Sequence, residues 1–215
     1  MKTFSKSIDF YQKENKLEKS TILKYAIIST LVIFCYEYLL VDPLAMYFDV
    51  GGLDKGFSNS GRLDIVSALL LAPVLEELLS RGFLSGKRKH FIFLFIQPLL
   101  GMLIFGDYWW LFLGIGMGFL VWVIHEQNQR PDDIYLSKPL FYASFIFTTL
   151  VFTLLHLGNV ESSSSTLDWT FTILGIMPGA ILFGWVRYQA GLGYAMLTHG
   201  LFNLLTLSLN EALYQ

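Results

Sequence analysis

Apolar residues come in long blocks along this chain. Segments at roughly 22–41, 62–86, 90–106, 109–125, 139–157, 169–187 and 192–210 are each apolar enough to cross a bilayer as a helix. Hydrocarbon offers no partner for an unsatisfied N–H or C=O, so helices are the expected element throughout. The pattern therefore predicts an all-α fold, a polytopic membrane helix bundle of about seven transmembrane segments. Only Gly106–Asp107–Tyr108 divides the third block from the fourth, and those two read as a tight hairpin.

The second block is interrupted by charge. The stretch LAPVLEELLSRGFLSG, from Leu71 to Gly86, holds Glu76, Glu77 and Arg81 in otherwise apolar surroundings. An ionised side chain at the centre of a bilayer costs about 2.5 kcal/mol or more, so such residues face a bundle interior and mark function. Residues four apart share a helical face, which pairs Glu77 with Arg81 in the favourable order, acid before base. Glu76 points elsewhere and needs a partner from another helix.

Candidate partners sit in later blocks. His156 closes Phe152–Thr153–Leu154–Leu155–His156, and His199 opens His199–Gly200–Leu201–Phe202–Asn203, with the imidazole and the carboxamide on one face. A carboxylate takes a proton from water, two imidazoles orient that water or hold a metal, and an Asn amide donates to a developing oxyanion. Hydrolysis needs those roles and no covalent nucleophile. Glu76 and Asn203 fall mid-span while His156 falls toward the outer end of its span, so a shared site requires a tilted helix or a cavity that crosses the midplane. His90 and His125 border loops and read as solvated; Glu37, between Tyr36 and Tyr38, reads as interfacial.

Composition narrows the class. Of 215 residues, 54% are hydrophobic and 15% charged, with a mean hydropathy of +0.53, too apolar for a soluble domain of this size. A net charge of -2 without a basic surface leaves no nucleic-acid partner. The single cysteine, Cys35, excludes an internal disulfide and reads as an inert membrane-facing thiol. Residues 1–20 carry five lysines and read as a cytoplasmic basic leader ahead of one membrane domain, 21–215. Thirteen of fifteen basic residues collect on one side of the expected topology, Lys55 and Arg62 being the exceptions, which places the N-terminus inside. Asp42 to Arg62 and Glu161 to Asp168 read as outer loops. Gly114, Gly116 and Gly118, with Gly175 and Gly179, read as small faces where helices approach closely.

Three motifs in order carry a specific resemblance. Glu76–Glu77–Leu78–Leu79–Ser80–Arg81–Gly82 resembles the EExxxRG motif of the CPBP family of intramembrane proteases, the CAAX-protease and bacteriocin-processing family also called Abi. Phe152 to His156 resembles its FxxxH motif and His199 to Asn203 its HxxxN motif. The family-like core covers about 62–210, with the motifs between Leu69 and Asn203. The resemblance implies a site in an intramembrane cavity, where Glu76 activates water, Glu77 and Arg81 support it, His156 shares the proton transfer, and His199 with Asn203 stabilises the transition state. It implies cleavage of a membrane-associated protein or peptide, such as a CAAX-like, leader or signalling peptide; the small size and the basic leader point to a bacterial plasma membrane as its home. A metal such as zinc, held by Glu76, His156 and His199, is left open. So is a non-catalytic role as a bacteriocin-immunity or membrane binding protein. Serine, aspartyl and HExxH-type intramembrane proteases fit less well: Gly56–Phe57–Ser58–Asn59 lies in a polar loop, Gly191–Leu192–Gly193 is followed by Tyr194, and His125–Glu126–Gln127–Asn128–Gln129 lacks the second His.

Overall fold

The computed structural model describes residues 18–48, 50, 65–104, 109–132, 135–159 and 166–214. Most of the basic leader, the stretch 51–64 with Lys55 and Arg62, residues 105–108, where the sequence suggested a tight hairpin, and the serine run at 161–165 lie outside the described residues. Within them the chain is helical and has no β-strand. The helices are α1 (Lys19–Tyr36), α2 (Ala72–Arg81), α3 (Ile92–Ile104), α4 (Trp109–Gln129), α5 (Lys138–Leu155), α6 (Thr166–Ala190) and α7 (Leu192–Tyr214). Five helical stretches are long and apolar enough to cross a membrane: Ser20–Tyr47, Trp110–Gln129, Lys138–Leu155, Thr166–Ala190 and Leu192–Leu209. The other two, α2 and α3, have 10 and 13 residues. A multi-pass helix bundle follows, with five stretches that meet the length and apolarity of a membrane span.

Two prolines shape the helices. Ahead of Asp42–Pro43 and again ahead of Ala72–Pro73, the chain opens into a five-residue π-turn, Glu37–Val41 and Ser67–Leu71. Proline brings no N–H and its ring crowds the carbonyl four residues back, so a regular α-helix cannot run through it unaltered. The widened turn relieves this: the Asp42 and Ala72 amides reach back five residues, to the Glu37 and Ser67 carbonyls. One consequence corrects an expectation from the sequence. Asp42–Tyr47 continues α1 as helix, where the outer loop was expected to begin. Glu37 lies on this π-turn, half-buried, with one carboxylate oxygen enclosed and unpartnered among the described residues.

Helix α6 is central, with α1, α5 and α7 packed on it, while α7 also packs on α1 and α2. Helix α3 joins α2, α4 and α5. Close approach occurs at two glycines that the sequence did not single out as small faces. A Cβ on Gly184 would lie 2.8 Å from the Phe145 ring, and one on Gly82 would lie 2.9 Å from that of Phe93, so α5 and α3 sit against bare backbone. Gly114 and Gly118 instead meet nothing within 4 Å. They lie on exposed faces of α4, and the small-face reading fails for them.

The interior is polar where the outside is apolar. Val32, Leu39, Leu70, Val121 and Ile146 are exposed, as lipid-facing side chains are, while Glu77, Arg81, Ser144, Thr148, Thr153, Thr198 and His199 are buried. The threonines tolerate burial because Thr148, Thr153, Thr172 and Thr198 each donate to the carbonyl four residues back. Two glycines with left-handed φ make the sharp joints: Gly86 after the Gly82–Ser85 turn, and Gly191, the single residue between α6 and α7.

Candidate active site

Helix α2 buries Pro73, Glu77, Ser80 and Arg81 on one face. A buried charge is tolerable only when paired and hydrogen-bonded. Arg81 meets this in four ways: Nη1 donates to Glu77 Oε1 one turn earlier, Nη2 donates to the Ala180 carbonyl of α6 at 3.2 Å, and the guanidinium lies 4.3 Å from the Phe152 ring centre and 5.6 Å from that of Phe183. Cation–π contacts in such dry surroundings contribute about 2 kcal/mol. A second arginine fixes the end of the same helix. Arg187 on α6 donates to the Arg81 and Gly82 carbonyls at 3.1 and 3.0 Å, satisfying acceptors that the helix end leaves open.

Glu77 Oε1 has a second partner, Nδ1 of His199, at 3.0 Å. The His199 ring is stacked on Phe183, centroids 4.5 Å apart and planes within 16°. His156 is held in the same manner, with Nδ1 2.8 Å from the Phe152 carbonyl. A carboxylate and a carbonyl only accept, so Nδ1 carries the hydrogen in both rings and Nε2 is bare when the ring is neutral. Both Nε2 atoms face Glu76: Oε2 lies 3.9 Å from that of His156 and 3.8 Å from that of His199. Glu76 is 35% exposed as a side chain, yet Oε2 itself is enclosed and has no hydrogen-bond partner among the described residues.

Three helices therefore deliver a carboxylate oxygen and two imidazole nitrogens to one gap. The separations exceed a hydrogen bond and suit a water seated between the groups. His156 reaches the gap although it lies just beyond the last residue of α5, where the chain tightens into the turn His156–Asn159. A divalent metal is the other occupant these donor types suit. Zinc bonds of about 2.0–2.2 Å at a tetrahedral angle put two ligand atoms roughly 3.3–3.6 Å apart. The measured gaps of 3.8 and 3.9 Å lie between that spacing and the roughly 4.4–4.7 Å set by two hydrogen bonds to a tetrahedral water, and among the described residues no group of three His, Cys, Asp or Glu side chains is drawn together tightly enough to count as a preformed metal site.

Asn203 does not join the gap by the bond it makes here. Its Nδ2 donates to the Ala68 carbonyl of the π-turn at 2.8 Å. The remaining histidines stand apart, His90 on the Ser85 hydroxyl at 2.7 Å and His125 beside Gln129 at 3.0 Å on the surface. Sequence patterns did not indicate Phe183, Ala180, Pro73 or Arg187. The first stacks on His199, the second and fourth act through backbone carbonyls, and the third through a missing N–H. None of these leaves a side-chain motif.

A family model described as type II CAAX prenyl endopeptidase Rce1-like matches residues 58–205, which includes Glu76, Glu77, Arg81, His156, His199 and Asn203. No curated protein and no solved structure matches the chain. Because the matched region takes in well over half of the sequence and all three clustered motifs, this multi-pass membrane protein belongs to the Rce1-like type II CAAX prenyl endopeptidase family, a family of proteases.

Proposed function

We propose that the chain is an intramembrane endopeptidase that hydrolyses a peptide bond near a lipid-modified cysteine, using a water held by Glu76, His156 and His199. The observation that supports this most directly is the convergence of Glu76 Oε2 with two Nε2 atoms whose rings are tied back through Nδ1. Glu76 takes one proton from the water while the oxygen adds to the scissile carbonyl carbon. When the tetrahedral intermediate collapses, the C–N bond breaks and that proton passes to the leaving amine. A water has two hydrogens and three acceptor atoms face it, so the set is satisfied when one of the three already carries a proton. With the proton on His199, whose ring is braced by Glu77 and Phe183, its Nε2–H donates to the developing oxyanion. The N-terminus lies on the cytoplasmic side in this reading, from the distribution of lysine and arginine.

The test uses purified protein in liposomes and a quenched fluorescent peptide ending in a farnesylated CAAX sequence. Glu76→Gln is expected to lower kcat by about 100-fold or more while the protein keeps its thermal stability. Wild-type activity in that variant refutes the mechanism. EDTA is expected to leave the rate unchanged; a loss restored by zinc replaces the water set with a metal centre. A wild-type protein that binds the peptide without cleaving it favours the binding-protein alternative.

A further inference from the structure

We infer that the turn from Gly86 to His90, with Arg187 of α6 beside it, is a docking site for the phosphate of an anionic phospholipid, and that a bound headgroup steadies the end of α2 where the bundle meets the membrane surface. None of these side chains is among those that converge on Glu76, so the site stands whether or not the chain hydrolyses peptides. Four basic residues occur in a row, Lys87–Arg88–Lys89–His90, and the structure divides them. Arg88 turns toward α4, where Nη1 donates to the Arg130 carbonyl at 2.6 Å and Nη2 to the Glu126 carbonyl at 3.4 Å, closing that helix end. The other three stay with Arg187: besides its partial burial, His90 feels the charges of Lys89, Arg187 and Lys87, and all of these lower its pKa. Lys87, Lys89 and Arg187 make no salt bridge among the described residues. The buried carboxylate nearest in sequence to this end of α4, Glu126, is taken by Arg130 and by the amide and hydroxyl of Ser137.

Like charges repel, and a loose loop would spread them; here the backbone holds them together. Gly86 takes a left-handed φ, donates to the Phe83 carbonyl at 3.2 Å and accepts from the Leu136 amide at 2.8 Å, while Lys87 pairs with Tyr135 in an antiparallel bridge. The Lys87 amide also donates to the Ser85 hydroxyl at 3.2 Å, and that hydroxyl lies 2.7 Å from His90 Nδ1. From the other side, Arg187 spends Nε and Nη2 on the Arg81 and Gly82 carbonyls, and its Nη1 makes no hydrogen bond among the described residues. A fixed set of donors of one sign is what a phosphate binds.

Depth selects lipid over other anions. Tyr25 near the start of α1 and Tyr142 near the start of α5 are exposed, and Trp185 stands edge-on to Tyr25 at 6.4 Å, two residues before Arg187. Exposed Tyr and Trp of this kind mark the boundary between acyl chains and headgroups. The basic cluster lies beyond that boundary, at the height of the lipid phosphates, where basic pockets between helix ends take anionic headgroups. A peptide carboxylate carries the same sign, but only lipid phosphate is always present at this level.

The test uses full-length protein in neutral maltoside micelles doped with phosphatidylglycerol or with phosphatidylcholine. At a hundredfold excess over its dissociation constant, phosphatidylglycerol is expected to raise Tm by about 5–10 °C, phosphatidylcholine is expected to leave it unchanged, and high salt should remove most of the rise. The pair Lys87→Gln and Lys89→Gln together should keep less than half of the rise, while Lys24→Gln, at an exposed lysine of α1 outside the cluster, keeps all of it. If the double variant already melts early without lipid, Lys89→Gln alone, at an exposed side chain, carries the comparison. A second readout is local: in the NMR titration of the imidazoles, the signal missing in His90→Gln should titrate at higher pH with phosphatidylglycerol, because the phosphate offsets the neighbouring cations.

Equal rises with the two lipids, an equal rise in wild type and variant, or an unmoved His90 titration overturns the proposal. So does inorganic phosphate in neutral micelles if it reproduces both effects, which makes the site one for a free anion. Protection by a farnesylated peptide with a free carboxylate but not by its amide, lost in the double variant and without any response to phosphatidylglycerol, gives the site to a peptide end and overturns the lipid assignment as well.

Discussion

Glu77→Leu and Arg81→Met, singly and together, separate the strength of the buried ion pair from its use. Glu77 is fully buried and Arg81 is 2% exposed, so neither charge is relieved by solvent when the other is removed. Breaking a buried pair from one side costs about 3–5 kcal/mol, whereas replacing both members by apolar residues of similar volume is often neutral or stabilising. For a chain of this length each kcal/mol corresponds to about 2–4 °C, so each single variant is expected to lower the apparent Tm by roughly 6–20 °C. Arg81→Met also loses the Ala180 carbonyl bond and the Phe152 contact, and belongs at the upper end of that range. The double variant should recover much of the loss in stability and none in activity, because His199 Nδ1 no longer has the Glu77 carboxylate as its acceptor. Intrinsic fluorescence during heating in detergent micelles reads the first quantity, and peptide cleavage the second. Single variants as stable as wild type, or a double variant whose loss is the sum of the two, would refute the reasoning.

Two further outcomes follow from other parts of the structure. Gly184→Ala places a Cβ 2.8 Å from the Phe145 ring and is expected to destabilise by about 1–3 kcal/mol, while Gly114→Ala, which meets nothing within 4 Å, should be neutral or slightly stabilising; parallel thermal melts check the pair, and equal losses would contradict the packing described. His90, in the turn Arg88–His90, has its pKa lowered from 6.5 by partial burial and by the neighbouring charges of Lys89, Arg187 and Lys87. The unfolded chain therefore binds the proton more readily, so this contribution to stability is present above about pH 6.5 and is lost as pH falls through the folded value. Melts across that window should show a slope that His90→Gln reduces, and an unchanged slope counts against the assignment.

Much of the site was legible because its side chains obey helical spacing. Glu77 and Arg81 pair one turn apart, and the three motifs lie in the blocks whose helices converge at Glu76. What escaped the sequence has a common physical character. Arg187 was not singled out as a site residue, and the partner of Asn203 was not foreseen, because both bind backbone carbonyls, at a helix end and on a π-turn, and such acceptors leave no recognisable mark in sequence. The reading of Asn203 as an oxyanion donor came from its residue type and from the family motif; the bond it makes here, to the Ala68 carbonyl on the turn ahead of Pro73, depends on a segment far away in sequence. Close helix contact was misjudged at Gly114 and Gly118 for a related reason: a glycine permits approach, and only the arrangement of neighbouring helices decides whether one arrives.

The two acids of the site differ in what surrounds them, and the difference follows from how α2 is held. Arg81 donates to α6 at Ala180, and Arg187 on α6 donates back to the last carbonyls of α2, so the two helices are riveted at both levels by guanidinium–carbonyl bonds. Glu77 lies inside that clamp with Arg81 and His199 both on one oxygen. A change in its protonation during turnover would strand a buried arginine, so its role is to hold rather than to react. Glu76 leaves the same helix one residue earlier, outside the clamp, without a fixed cation and with one oxygen turned to two imidazoles. Of the two carboxylates, it alone can gain and lose a proton without dismantling the pairing that keeps the bundle together. In the proposed mechanism the proton chemistry of hydrolysis therefore falls to Glu76, and the rigid pair beside it keeps His199 in place while it acts.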